Sequence, residues 1–176
     1  DPRLYETVAV NGALQTINWG NGKTSGANYE LWLGGTTAGN KPVTQDSHYA
    51  TGYRYLKYYA GEAYVGKFPH WVSLSVLEIY LGYAEALAQT GDLPLAIKYV
   101  DAVRARVGLG GLVECNPGKN LKTDKDALIK EILRERACEF AFQDSRYFDM
   151  IRYKLRADFE KTLHRLVIHR LVEKDG

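Results

Sequence analysis

Sulfur is scarce in this chain of 176 residues. Cys115 and Cys138 are too few for a disulfide framework or a four-ligand zinc site, although one bridge between them stays open. The single methionine is Met150, so Asp1 is not a translational start and the chain reads as a processed product or a fragment of something longer. No apolar run reaches the ~18 residues of a membrane-spanning helix, and no basic start leads into an apolar stretch as in a signal peptide. An excess of one charge is lacking too: 23 basic against 21 acidic residues leave a formal charge of +2. That field is too weak to imply nucleic acid or anionic lipid as a partner. His48, His70, His164 and His169 share no ligand spacing with the cysteines, and no Ser-His-Asp arrangement emerges, so no metal, cofactor or catalytic nucleophile is expected. What is present is 45% apolar and 25% charged, which excludes disorder. A chain of this size can bury roughly 70% of its unfolded surface in one or two cores.

Residues 1 to 70 hold most of the glycines, among them Gly20, Gly22, Gly26, Gly34, Gly35 and Gly39, which punctuate Ile17-Asn18-Trp19 and Tyr29-Glu30-Leu31-Trp32. This spacing predicts loops and short strands. From 71 to 154 the period becomes helical. Leu74, Leu77, Leu81, Ala84 and Ala88 form one stripe, and Val76, Tyr80, Tyr83 and Leu87 form a second beside it. Two stripes predict a helix buried on most sides, with Ser75, Glu78, Gly82, Glu85 and Gln89 as its one polar line. Gly91 is suited to end it in a left-handed conformation, and Asp92 to cap the next helix with Pro94 in its first turn. The second arm carries Ala96, Ile97, Val100, Val103 and Val107 inward and stops at Gly108-Leu109-Gly110-Gly111. Tyr80, Ala84, Gly91-Asp92 and Ala96-Ile97 have the spacing of a tetratricopeptide unit, which the pattern alone does not separate from an ordinary helical hairpin. Thr123 and Asp126 predict a capping box opening a third helix to about Phe142. Gln143-Asp144-Ser145 breaks it, and a short helix follows over 146 to 154. The final segment, 155 to 176, has no assigned element. The fold class is therefore mainly α, with a loop-rich segment of short strands on its N-terminal side.

Glu135 and Glu139 lie one helical turn apart in an apolar stripe with Leu128, Ile132 and Phe142. Paired acids suit a glycosidase, but only if they flank a sugar bond in an open cleft. Interleaved with Arg136 and Phe140 they read instead as structural carboxylates, with Arg136, Arg146 and Arg152 as the nearby cations. Gly34-Gly35-Thr36-Thr37-Ala38-Gly39-Asn40-Lys41 is a loop and not a phosphate cradle, because Asn40 separates the second glycine from Lys41 and Pro42 follows. Trp19 and Trp32 stand among glycines, where rings are easily displayed. A pyranose offers a plate of C–H bonds to such a ring, while Asn18, Asn21 and Asn28 lie beside the rings to reach its hydroxyls, with Tyr29 as a further candidate of the same site. The alternative is that both indoles fill a core.

Several stretches resemble one family. Leu77-Glu78-Ile79-Tyr80-Leu81-Gly82-Tyr83-Ala84-Glu85-Ala86-Leu87 and Val103-Arg104-Ala105-Arg106-Val107-Gly108-Leu109 are similar to segments of the SusD/RagB outer-membrane glycan-binding lipoproteins. So are Leu133-Arg134-Glu135-Arg136-Ala137-Cys138-Glu139-Phe140-Ala141-Phe142, Arg146 to Lys154, Asp1-Pro2-Arg3, Thr51-Gly52-Tyr53 and Lys57-Tyr58, in order over about 150 residues. Ser75 departs from the pattern, standing where the family usually has an arginine, so one buried ion pair is expected to be absent or rearranged. The resemblance implies a single SusD-like fragment spanning 1 to 176. Its implied role is non-catalytic capture of an oligosaccharide at the cell surface and hand-over to a TonB-dependent transporter. It also implies a lipid anchor in a part of the protein that this chain lacks. A peptide-binding helical scaffold and a glycosidase are the competing readings.

Overall fold

The computed structural model describes residues 1–14, 28–32, 51–58 and 72–169, and the backbone of 36–37 and 41–42. The chain divides into two compact units. One comprises Asp1–Arg3 and Trp71–Glu160, the other Leu4–His70 and Lys161–Gly176. In chain order the elements are α1 (Arg3–Thr7), β1 (Val8–Ala9), β2 (Thr36–Thr37), β3 (Lys41–Pro42) and β4 (Arg54–Tyr55). They continue with α2 (Val76–Thr90), α3 (Leu93–Arg106), α4 (Lys125–Glu139), α5 (Ser145–Arg152) and α6 (Arg156–Phe159). The molecule is mainly α, as expected.

The helical unit is built around an antiparallel hairpin. Gly91 ends α2 at φ 96°, a left-handed conformation that costs glycine nothing, and the Asp92 N–H reaches back to the Leu87 carbonyl at 2.9 Å. Asp92 then caps α3 by accepting from the Leu95 N–H at 3.2 Å. Leu81, Ala84 and Ala88 from α2 meet Ala96, Val100 and Val103 from α3 and Leu128, Ile132 and Leu133 from α4 in one buried cluster. Alanines at this seam let the helices approach closely. The connection from α3 to α4 is pinned to α3 by Asp101, which accepts from the Leu112 N–H at 2.6 Å, and it adds Leu112 and Leu121 to the cluster.

Three expectations need correction here. The helix α2 is not buried on most sides: Val76 (58%) and Ile79 (53%) are exposed, and so is Tyr83, because α3 and α4 pack on one face only among the described residues. Leu74 precedes the helix and is exposed, while Ser75 caps it by accepting from the Glu78 N–H at 3.2 Å. Second, Asp124 and not Thr123 caps α4, accepting from the Ala127 N–H at 2.9 Å. Third, α4 stops at Glu139 and not near Phe142, since the chain turns left-handed at Phe142 (φ 63°) and Asp144 (φ 60°). The two cysteines are exposed and unbridged.

In the strand-and-loop unit, β1 pairs antiparallel with β4 (Val8 with Tyr55, Ala9 with Arg54), and β2 pairs with β3. The second pairing is a hairpin made from the loop that had only a faint likeness to a phosphate cradle. Residues 12–13 exchange backbone hydrogen bonds with Tyr29, the Gly12 N–H to the Tyr29 carbonyl and the Tyr29 N–H to the Ala13 carbonyl, both at 2.8 Å. Ala9, Tyr29, Leu31 and Leu56 form this unit's core cluster.

Candidate functional site

The polar line of α2 faces α5 across a cleft of about 450 Å³, lined by Glu78, Gly82, Glu85 and Gln89 on one wall and Arg136, Phe148 and Arg152 on the other. The floor is an ion-pair network. The Arg152 guanidinium donates to both oxygens of Glu85 and, at 2.6 Å, to Asp149, and Arg136 donates to the other Asp149 oxygen at 2.9 Å. The Tyr153 hydroxyl donates to Glu85 at 2.6 Å and accepts from the Gln89 amide at 3.2 Å.

Burial pushes the Glu85 carboxyl up, but hydrogen bonds from Arg152 and Tyr153 outweigh it, and the net position is below the ordinary value. The Glu85 hydrogen bond, set against desolvation, drives Arg152 upward. Burial and the Glu85 carboxylate both raise the Tyr153 phenol. With Glu85 held ionised and Arg152 held charged, neither is poised to exchange a proton near neutrality. The arrangement suits recognition by hydrogen bonding.

Glu135 and Glu139 sit elsewhere, buried among arginines. Glu135 lies 2.8 Å from Arg104 and 2.7 Å from Arg3, the latter an ion pair rather than an aligned hydrogen bond. Glu139 lies 3.0 Å from Arg3 and 2.7 Å from Arg106. Arg3 is itself held by Asp1 at 2.6 Å; desolvation opposes its charge, yet the hydrogen bond to Glu139 and the nearby Glu135 carboxylate leave it raised. Both carboxylates are paired, but with Arg3, Arg104 and Arg106 instead of Arg136, Arg146 and Arg152. Arg136 follows Glu135 by one residue, about 100° around the helix, and so points to Asp149. Arg152 pairs with Glu85 and Asp149, and Arg146 with Asp158 at 2.8 Å. The cations that do reach, Arg3, Arg104 and Arg106, lie inside the family-like stretches, where they read only as helix-packing residues.

Of the aromatic residues, Tyr29 is 2% exposed within the second core cluster, with the Arg54 guanidinium 6.0 Å from its ring centre. Trp32 is half-buried. Trp19, Asn18 and Asn21 lie outside the described residues, so of these candidates the structure describes Tyr29 and Trp32. Phe148, in the first turn of α5, stands exposed on the cleft wall and was not among the candidate site residues. No group of three metal-ligating side chains exists among the described residues.

A match to the SusD family profile runs over residues 1–171, which is nearly the whole chain. The chain belongs to the SusD family. The fold agrees: a SusD-like protein from Bacteroides fragilis is similar at a TM-score of 0.67 and 27% identity over 96% of this chain. This SusD-family chain spans 31% of that protein's length. No curated protein matches in sequence.

Proposed function

We propose that this SusD-family chain takes part in non-catalytic capture of an oligosaccharide at the outer-membrane surface and its delivery to a TonB-dependent transporter. The family match over residues 1–171 carries the reading, since members of the family generally bind carbohydrate without transforming it. The pairing of Glu135 and Glu139 with arginines supports the non-catalytic part, because neither acid stands free beside an open cleft. None of the described helices is long and apolar enough to cross a membrane.

In this reading Trp32, with Trp19, Asn18 and Asn21, contacts the glycan, and buried Tyr29 holds the segment that presents Trp32. Stacking on an indole contributes on the order of 1 kcal/mol beyond burial. Calorimetric titration of the chain with neutral and acidic oligosaccharides should therefore show binding that Trp19→Ala or Trp32→Ala weakens about fivefold or more. Undiminished affinity in both variants would remove the aromatic site. The exposed line Val76, Ile79 and Tyr83 favours a second reading, a helical scaffold for a peptide, and tight binding of a peptide with no sugar bound would establish it.

A further inference from the structure

We infer that the cleft between α2 and α5 is a second saccharide site, which takes one neutral pyranose and excludes a uronate. This inference rests on the glycan-binding reading but not on its tryptophans. A cleft of about 450 Å³ falls within the roughly 300–1,000 Å³ of small-molecule sites. The cleft joins an apolar plate to a fixed polar floor, the combination a sugar ring requires. Phe148 is 61% exposed on its wall, and an edge-on contact with Tyr147 at 5.5 Å orients its ring.

Opposite lies Gly82, deep in a helix where glycine is less favourable than alanine. A Cβ on Gly82 would meet nothing within 4 Å, so packing does not demand the glycine; its effect is to leave the cleft open. The Ser145 side chain also lines the cleft.

Charge sets the selectivity. Arg136 and Arg152 are the cleft's two cations, and both are engaged by Asp149 and Glu85. With Glu78 added, three carboxylates face two guanidiniums, so a ligand carboxylate meets net negative charge and no free arginine.

The test uses the 176-residue chain and saturation-transfer NMR with the methyl glycosides of glucose, galactose and mannose, and with galacturonic acid. At least one neutral glycoside should receive transfer, and galacturonate none. Gly82→Leu, which fills the cleft from open space, and Phe148→Ala should each cut the transfer about fivefold or more. Glu160→Ala, at an exposed ion pair outside the cleft lining, should leave it unchanged. Thermal melts of both cleft variants, expected to match or exceed the parent, separate lost binding from lost folding. Equal transfer to Gly82→Leu and parent, or preference for galacturonate, overturns the inference. If the oligosaccharide panel still binds through Trp32 in that case, the proposed function stands without the cleft. A parent silent to panel and glycosides alike removes both.

Discussion

The helical unit and the strand-and-loop unit hold themselves together by different means. In the first, buried side chains recur every three or four residues along three helices, and the resulting cluster is crossed by ion pairs between Arg3, Arg104, Glu135 and Glu139. In the second, the described strands are only two residues long, and order depends on a few backbone bonds around Ala9, Tyr29, Leu31 and Leu56. A periodic face can repeat the same contact at each turn. A short bridged segment cannot, so each of its core residues carries a larger share. The contrast teaches where function is easily housed: loops supply display, while the helices supply rigid walls with fixed charges.

The largest expected effect is at the ion pairs. Glu135→Ala leaves Arg3 and Arg104 facing each other without their shared carboxylate, and losing one partner of a buried pair costs about 3–5 kcal/mol. Chemical denaturation should show that loss, while Glu160→Ala, which breaks an exposed pair with Arg156, should change stability by under ~1 kcal/mol. Equal effects would erase the distinction between buried network and surface pair. Next, Leu31→Ala in the second core should cost about 2–5 kcal/mol. Hydrogen exchange should then report faster exchange at residues 12, 29 and 56, with α2, α3 and α4 still protected. Simultaneous loss in the helices would show that the two units do not differ as argued.

Ala84→Leu comes third. Ala84 is fully buried in the cluster that joins α2 and α3, and overpacking there should cost about 1–3 kcal/mol by thermal or chemical denaturation. Full tolerance would mean that the close approach of the hairpin arms is not maintained in solution.

The smallest effect is set by pH. Glu85 and Glu131 are both pushed up by burial, yet hydrogen bonds from Arg152 and Tyr153 in one case, and from Lys119 and Arg134 in the other, bring them below their ordinary 4.5. Below that value the unfolded chain binds protons more readily than the folded one. Their contribution is therefore complete above pH 4.5 and declines as pH falls through the folded values. Melting temperatures of Glu85→Gln should accordingly depend less on pH between 5 and 3 than those of the parent.

What the sequence determined by itself is local. Asp92 and Gly91 act on backbone groups within a few residues, and the stripe from Leu81 to Ala88 needs only helical geometry, so the hairpin was legible before any contact was known. The resemblance likewise identified the family. The tertiary structure alone decided which charges meet. Arg3 and Arg104 reach Glu135 from far along the chain, whereas Arg136, its immediate neighbour, is turned away by the helical twist. The structure also decided that the second apolar stripe of α2 is split, with Tyr80 and Leu87 packed on the core and Val76 and Tyr83 exposed, and that its polar line walls a cleft. Periodicity states which residues share a face; what covers that face depends on partners brought from elsewhere in the chain.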